Sequence, residues 1–179
     1  MTVKFGGLDM AMRVDNSALI VLKLEDGVLE QIGQKVWPHI SLDKVAADML
    51  KIQRIEKMKA IGYDRLGIGD GARQLFSKEV PLRDIISSQT NKLAMIGLVK
   101  GLFTQEKLIV HDKDLFREIL EQEKKISDAG NILLCLLGCI IFSLRDTKTY
   151  GGQDEYETSA IGFAGRLGTG KTTKEYLEY

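Results

Sequence analysis

The Asp26–Gly27 pair is the most constraining feature of the sequence, because it separates two apolar runs rich in branched side chains. Asp-Gly supplies the positive φ angles that a two-residue hairpin turn requires. The flanking runs, Ser17–Leu24 and Val28–Trp37, are typical of strands. A third run, Thr2–Leu8, precedes them across a polar turn and leads into Asp9. The sequence therefore predicts an antiparallel meander of three strands at the start of the chain.

The rest of the chain alternates between helical and strand patterns. Ser41 is a predicted N-cap, and the apolar spacing after it predicts a helix over Leu42–Ala60 that Gly62 closes. The other predicted elements are strands at Leu66–Gly69, Leu82–Ser88 and Leu108–Val110, a short helix or loop at Gly71–Lys78, and helices from Thr90 or Asn91 to Phe103, over Asp112–Lys124 and over Asp128–Leu144. This order is similar to the ribonuclease H-like plan, a mixed α/β sheet with helices on both faces.

Length and composition favour one soluble globular domain. The chain has 179 residues, of which 44% are hydrophobic, and we expect a domain over 1–145 followed by a polar tail over 146–179. The formal net charge is zero, so nucleic-acid binding would require a local basic patch. Cys135 and Cys139 are predicted to be reduced core thiols on one helix face. With no signal peptide and no apolar run long enough to span a bilayer, we expect a cytoplasmic protein.

Three aspartates fall where chemistry is expected in such a fold. Asp9 and Asp70 follow predicted strands, Asp128 opens the last predicted helix, and Asp15 follows Asp9 across a turn. Strand ends and a helix start can converge at one edge of a sheet, and clustered carboxylates need a cation. Two Mg²⁺ or Mn²⁺ ions held there can hydrolyse a phosphodiester, one activating water and the other stabilising the leaving oxygen. Alternatively, each aspartate is only a turn residue or a helix cap.

Several motifs in order resemble the nuclease domain of viral large terminase subunits, over roughly residues 4–145. The matching segments are Gly7–Ala11 with Asp15–Leu22, Ile68–Gly71, Asn91–Leu102 with Lys107–Val110, and Ser127–Ile132. The resemblance implies cleavage of double-stranded DNA during viral genome packaging in the infected cell. It implies Asp9, Asp70 and Asp128 as metal ligands, with Asp15 as an auxiliary ligand. It also places Lys92, Lys100 and Lys107 near the active face, where they would contact DNA phosphates; alternatively, each is only a solvated lysine. The resemblance further implies an ATPase domain or subunit and a portal as partners.

The tail contains a match to the phosphate-binding P-loop, G-x-x-x-x-G-K-[ST], over Gly165–Thr172. In a working P-loop, Gly170 and Lys171 would hold phosphates and Thr172 a magnesium ion. A strand is possible before the motif, but few residues remain for the helix that must follow, so a chance match in a polar tail is the other interpretation. Two alternative functions stay open: another ribonuclease H-like nuclease such as a junction resolvase, or a non-catalytic nucleotide-binding module that uses this motif.

Overall fold

A six-stranded mixed sheet forms the centre of the protein. The computed structural model describes residues 2–10, 16–64, 70–85, 88–121 and 131–146. The strands are β1 Val3–Asp9, β2 Ser17–Glu25, β3 Val28–Trp37, β4 Ala60–Asp64, β5 Leu82–Ile85 and β6 Leu108–Ile109. Their spatial order is β5-β4-β1-β2-β3-β6. The first three strands pair antiparallel, while β4 joins β1, β5 joins β4 and β6 joins β3 in parallel.

The predicted meander is confirmed, together with its turn. Asp26 has a φ of 50° and Gly27 a φ of 80°, as a tight hairpin connection requires. The β2–β3 pairing contains one irregularity, between Val21 and Leu22. From Gly33 to Trp37 the register is then continuous, so opposite residues of the two strands share a face.

Helices cover both faces of this sheet, which confirms the predicted fold class. Helix α1, Leu42–Glu56, packs on one face against Leu19 and Val21 of β2. Helix α5, Asn131–Asp146, packs on the other face against Ala18 and Ile20. Helices α3, Gln89–Thr104, and α4, Lys113–Glu121, belong to the α5 side, and a short helix α2 spans Asp70–Arg73. Strand β2 thus alternates its side chains between two cores.

The end of α1 differs from the prediction, and the difference moves a strand. The helix ends at Glu56 because Lys57 is left-handed, with a φ of 52°, and its N–H donates to Gln53 O at 2.8 Å. Two residues later the N–H of Lys59 donates to Lys4 O at 2.9 Å, which starts the pairing with β1. The predicted extension to Ala60 is therefore wrong, and Gly62 lies inside β4 instead of closing a helix.

The remaining predictions have mixed outcomes. The predicted strand at Leu66–Gly69 lies outside the described residues, and the strand predicted from Leu82 is described only to Ile85. The last three predicted helices are present with shifted bounds, and α5 runs to Asp146, so the predicted domain boundary at 145 falls in its last turn. Residues 147–179, with the P-loop-like motif, also lie outside the described part. None of the described helices is long and apolar enough to cross a membrane.

Candidate metal centre

Asp9 and Asp64 are the last residues of two neighbouring parallel strands, β1 and β4. The register pairs Gly7 with Gly62 and Leu8 with Tyr63, so Asp9 and Asp64 follow at equivalent positions. Neighbouring strands lie about 5 Å apart, and residues at equivalent positions of a parallel pair point to the same face. The two carboxylates therefore stand side by side at the carboxyl edge of the sheet, on the face that α5 covers.

Two glycines let α5 lie directly over these strand ends. A Cβ added to Gly7 would lie 1.4 Å from the carbonyl oxygen of Cys135, so only glycine allows this approach. A Cβ added to Gly138 would meet Ile85 Cδ1 at 2.8 Å, and the backbone oxygen of Gly62 lies 3.5 Å from that point. The helix backbone therefore contacts both β1 and β4, the two strands that end in an aspartate.

The direction of α5 brings its first turn to the same edge of the sheet. Cys139 Sγ donates to Ile20 O at 3.1 Å, and Cys135 Sγ donates to Ala18 O at 2.9 Å. Ala18 lies opposite Asp9 in the register, so α5 approaches the edge as it is followed back towards Asn131. Both thiols are free and buried, which confirms their prediction as reduced core residues.

A small cleft opens between the two aspartates and the layer of helices. Its volume is about 10 Å³, the space of one water molecule. Besides Asp9 and Asp64, it is lined by Leu8, Tyr63, Ile85, Met95 and Gly138, and most of the lining surface is apolar. An apolar wall lowers the local dielectric constant, so charges placed in the cleft interact more strongly than they would in water.

Two neighbouring groups show the electrostatic effect of this environment. Burial raises the pKa of the Cys135 thiol well above its usual value, and the negative charge of Asp9 raises it further. Burial also raises the pKa of Tyr63, with a smaller contribution from the Asp84 carboxylate. Both groups are therefore neutral at physiological pH.

The predicted ligands are placed as follows. Asp9 ends β1 as predicted. Asp70 is the first residue of α2, and the strand predicted before it lies outside the described residues. Asp15 and Asp128 lie outside the described residues. Within the described part of the chain, no group of three or more His, Cys, Asp or Glu side chains is arranged to hold a metal. A centre built on Asp9 and Asp64 would thus take further ligands from Asp15, Asp70 or Asp128, whose side chains are not described.

Asp64 is the residue that the sequence reasoning missed. The apolar run Ala60-Ile61-Gly62-Tyr63 before it is a strand signal of the same kind as the one before Asp9. Because the helical spacing of apolar residues continues through Met58, the sequence predicts that the helix extends to Ala60 and hides this strand. Met58 instead packs on Gly6 of β1, where its sulfur lies 2.8 Å from the position of an added Cβ.

The three predicted DNA-binding lysines lie at different places. Lys92 is in the first turn of α3, three residues before Met95 of the cleft wall, and Lys100 lies two turns further on. Lys107 precedes β6, and its carbonyl accepts a hydrogen bond of 2.9 Å from Leu29 N at the start of β3. That end of β3 is opposite to the edge at Asp9.

Comparisons with known proteins identify the class of fold. A mixed sheet of this order with helices on both faces is that of a ribonuclease H-like nuclease fold. A sequence profile described as the terminase RNaseH-like domain matches residues 6–149, and the chain therefore belongs to that family. A comparison with curated protein sequences gives no match.

Solved structures of phage terminases share the fold. The large terminase nuclease from thermophilic phage G20c is 14% identical, with a TM-score of 0.65 over 78% of this chain and 82% of that one. The Thermus phage P74-26 large terminase nuclease domain is 15% identical, with a TM-score of 0.62 over 87% and 84%. The large terminase of bacteriophage HK97 is 16% identical, with a TM-score of 0.51 over 61% of this chain and 30% of that longer protein. The G20c nuclease has also been crystallised with bound zinc, magnesium and cobalt.

Proposed function

We propose that this chain is a divalent-metal-dependent DNA endonuclease that cleaves phosphodiester bonds during phage genome packaging. The observation that carries the proposal is the side-by-side placement of Asp9 and Asp64 at the ends of β1 and β4, next to the start of α5. Membership of the terminase RNaseH-like family supports it. The metal-bound forms of the G20c nuclease support a requirement for divalent cations.

The donor set fits hard divalent cations. Two carboxylates at equivalent positions of neighbouring strands, whose backbones lie about 5 Å apart, repel each other, and a bound cation removes that repulsion. Oxygen-only ligands with room for water suit Mg²⁺ or Mn²⁺. We infer that Asp64 takes the role that the sequence analysis gave to Asp70, and we keep Asp70 and Asp15 as proposed outer ligands.

Asp128 remains the proposed third ligand. It stands three residues before Asn131, the first residue of α5, and three residues reach at most about 10 Å. The first turn of α5 approaches the edge that carries Asp9, so this reach is sufficient for a shared site.

The chain's own residues would orient the reaction. When bound, two ions supply an activated water and neutralise the leaving oxygen. Asp9 and Asp64 hold fixed positions because each ends a hydrogen-bonded strand beneath α5. The apolar side chains of Ile85 and Met95 beside the cleft limit the access of bulk water. Lys92, near Met95, is the best placed of the three lysines to contact a phosphate.

The proposal extends to partners and place of action. We infer that double-stranded DNA is the substrate and that an ATPase domain or subunit and the portal of a packaging motor act with this nuclease in the cytoplasm of the infected cell. The 30% coverage of the HK97 large terminase supports the view that relatives carry further domains.

Nicking of supercoiled plasmid in the presence of Mn²⁺ tests the proposal. We expect Asp64→Asn and Asp9→Asn to lower the rate by at least about 100-fold, since removal of a metal's supporting groups alone costs about 10–100-fold. Mn²⁺ binding, measured by calorimetry, should weaken in parallel, while thermal unfolding of the apoprotein stays close to the wild type. Asp114→Asn, at an exposed side chain of α4 that does not line the cleft, is the matched control.

Two results would count against this assignment. Full activity in Asp64→Asn with loss in Asp70→Asn would return the ligand role to Asp70. Wild-type protein that neither binds Mn²⁺ nor nicks DNA would refute the nuclease proposal. A branched substrate cleaved far faster than linear duplex would instead favour a junction-resolving nuclease.

A further inference from the structure

The row of residues that contains the two aspartates continues across the sheet to an exposed part of β3. Asp9 lies opposite Ala18 on β2, and Ala18 lies opposite Val36 on β3. The row therefore runs Asp64, Asp9, Ala18, Val36, all on the α5 face. Two residues along, Gly7, Ile20 and Gln34 form the next row on that face.

The helices cover these two rows at β2 but leave them uncovered at β3. Ala18 is 1% exposed and Ile20 is fully buried under α5. Val36, one strand further out, is 40% exposed, and Gln34 is exposed as well. We call the pair Gln34 and Val36 the β3 shelf. The row is thus covered at β2 and open at β3.

Contacts on the other face fix the orientation of the shelf. Lys35 and Trp37 alternate with the shelf residues, and both donate to Asp48 Oδ2 of α1, at 2.8 Å and 3.1 Å. Trp37 is 2% exposed, so β3 cannot rotate without exposing the indole. Gln34 Oε1 accepts a hydrogen bond of 3.0 Å from Gln31 Nε2, which orients the Gln34 amide so that its nitrogen can donate to a ligand.

We propose that the β3 shelf binds the sugar-phosphate backbone of the nucleic-acid strand that enters the Asp9–Asp64 site. This inference rests on the proposed function. Val36 lies two strand spacings from Asp9, about 10 Å, which corresponds to about three nucleotides at 3.4 Å each. The apolar Val36 side chain suits sugar carbons, and the Gln34 amide suits a phosphate oxygen.

The size and chemistry of the shelf favour a nucleic-acid strand over a protein. Two side chains are far smaller than a specific protein interface, which covers about 800 Å² on each partner. Neither side chain carries a charge that would repel phosphates. Val36 has no polar atom to read a base edge, and the oxygen of Gln34 is already bonded to Gln31, so a bidentate base contact is blocked and the shelf would bind without sequence preference.

Charge substitutions at the shelf test the inference, with the salt dependence of DNA binding as the readout. The variants are Val36→Lys, Gln34→Lys and Val36→Glu. Binding of a labelled DNA duplex is measured by fluorescence anisotropy in a buffer that contains Ca²⁺ in place of Mn²⁺. The matched controls are Ile55→Lys and Ile55→Glu, because Ile55 is 75% exposed on α1, on the opposite face. Thermal unfolding confirms that each variant is folded.

We expect Val36→Lys to add one phosphate contact and to steepen the slope of log K against log salt by roughly 0.9. Gln34→Lys should act in the same direction, and Val36→Glu should weaken binding several-fold at low salt. Shelf variants indistinguishable from the Ile55 variants would overturn the inference, as would wild-type protein that does not bind DNA. A change in sedimentation, without a change in DNA binding, would assign the shelf to a protein contact and also overturn it.

The two proposals can fail separately. Asp64→Asn reports on the metal site through nicking and Mn²⁺ binding, whereas the shelf variants report on DNA binding alone. If Asp64→Asn retains full activity while Val36→Lys steepens the salt dependence, the metal assignment fails and the shelf stands. If Asp64→Asn loses activity while Val36→Lys leaves the salt dependence unchanged, the shelf proposal fails and the metal assignment stands.

Discussion

Helices α1 and α5 cover opposite faces of the same strands, and they are held there by different contacts. Polar side chains tie α1 to the sheet, through Asp48 to Lys35 and Trp37 and through Glu56 to Lys4 at 2.9 Å. The contact of α5 is closer, since backbone of the helix meets backbone of the sheet at Gly7 and Gly138. Long side chains can adjust to a small shift of α1. Backbone contact leaves α5 no such freedom, and the candidate metal centre lies on the α5 side.

The largest effect should come from filling the contact between β1 and α5. Gly7→Ala places a methyl group 1.4 Å from Cys135 O, and only movement of α5 can relieve the clash. We expect a loss of more than about 3 kcal/mol in the free energy of unfolding, or about 6–12 °C in Tm. Urea unfolding measures it. Gly33→Ala is the control, because its added Cβ would sit at an ordinary 3.6 Å from Val21. Equal stabilities of the two variants would disprove the close contact.

A smaller effect is expected at the second glycine. The methyl group added by Gly138→Ala would lie 2.8 Å from Cδ1 of Ile85, the flexible end of that side chain. Alanine also favours the helix over glycine by about 1 kcal/mol. Because these contributions oppose each other, we expect a net loss of about 1 kcal/mol in urea unfolding. A loss as large as that of Gly7→Ala would mean that Ile85 cannot move.

The smallest effect is expected on the α1 side, and it should depend on pH. Hydrogen bonds from Lys35 and Trp37 hold the pKa of Asp48 well below its usual range. A carboxyl group with a lowered pKa stabilises the fold above its unfolded pKa of about 4, and this contribution is lost as pH falls towards the folded value. Asp48→Asn should lower the free energy of unfolding by about 1 kcal/mol at pH 7. The loss is this small because the Asp48 side chain is partly exposed to solvent.

Urea unfolding from pH 7 to pH 2.5 measures this pH dependence. The difference between wild type and Asp48→Asn should shrink below about pH 4. Asp114→Asn, at an exposed pair on α4, should show little difference at any pH. A constant difference between wild type and Asp48→Asn across the range would show that the charge of Asp48 is not what stabilises α1.

Local signals explain which parts of the fold were predictable. The Asp26–Gly27 turn was predictable because its φ angles depend on two residues alone. Strand β4 was not, because its pairing with β1 brings together Phe5 and Ala60, which local patterns do not connect. The helical periodicity extends through Met58, and only its contact with Gly6 of β1 shows that Met58 packs on the sheet beyond the end of α1.

The candidate site divides in the same way. The position of Asp9 at a strand end was predictable because a clear strand pattern precedes it. Asp64 was missed because its strand was hidden behind the predicted helix, and Asp70, six residues later, follows a similar Gly-rich pattern. The β3 shelf could not be predicted at all, since the exposure of Val36 depends on where α5 ends its cover of the sheet.

The contact between β1 and α5 also bears on the order in which the protein folds. Cys139 Sγ donates to Phe5 O across 134 residues of sequence, and Gly7 meets Cys135 across a similar interval. The hairpin of β2 and β3 can form as soon as it is synthesised, but its α5 face stays bare until almost the whole described chain is made. We therefore expect the carboxylate pair to gain its helical cover last among the described elements, and the proposed nuclease activity to appear only after α5 has been synthesised.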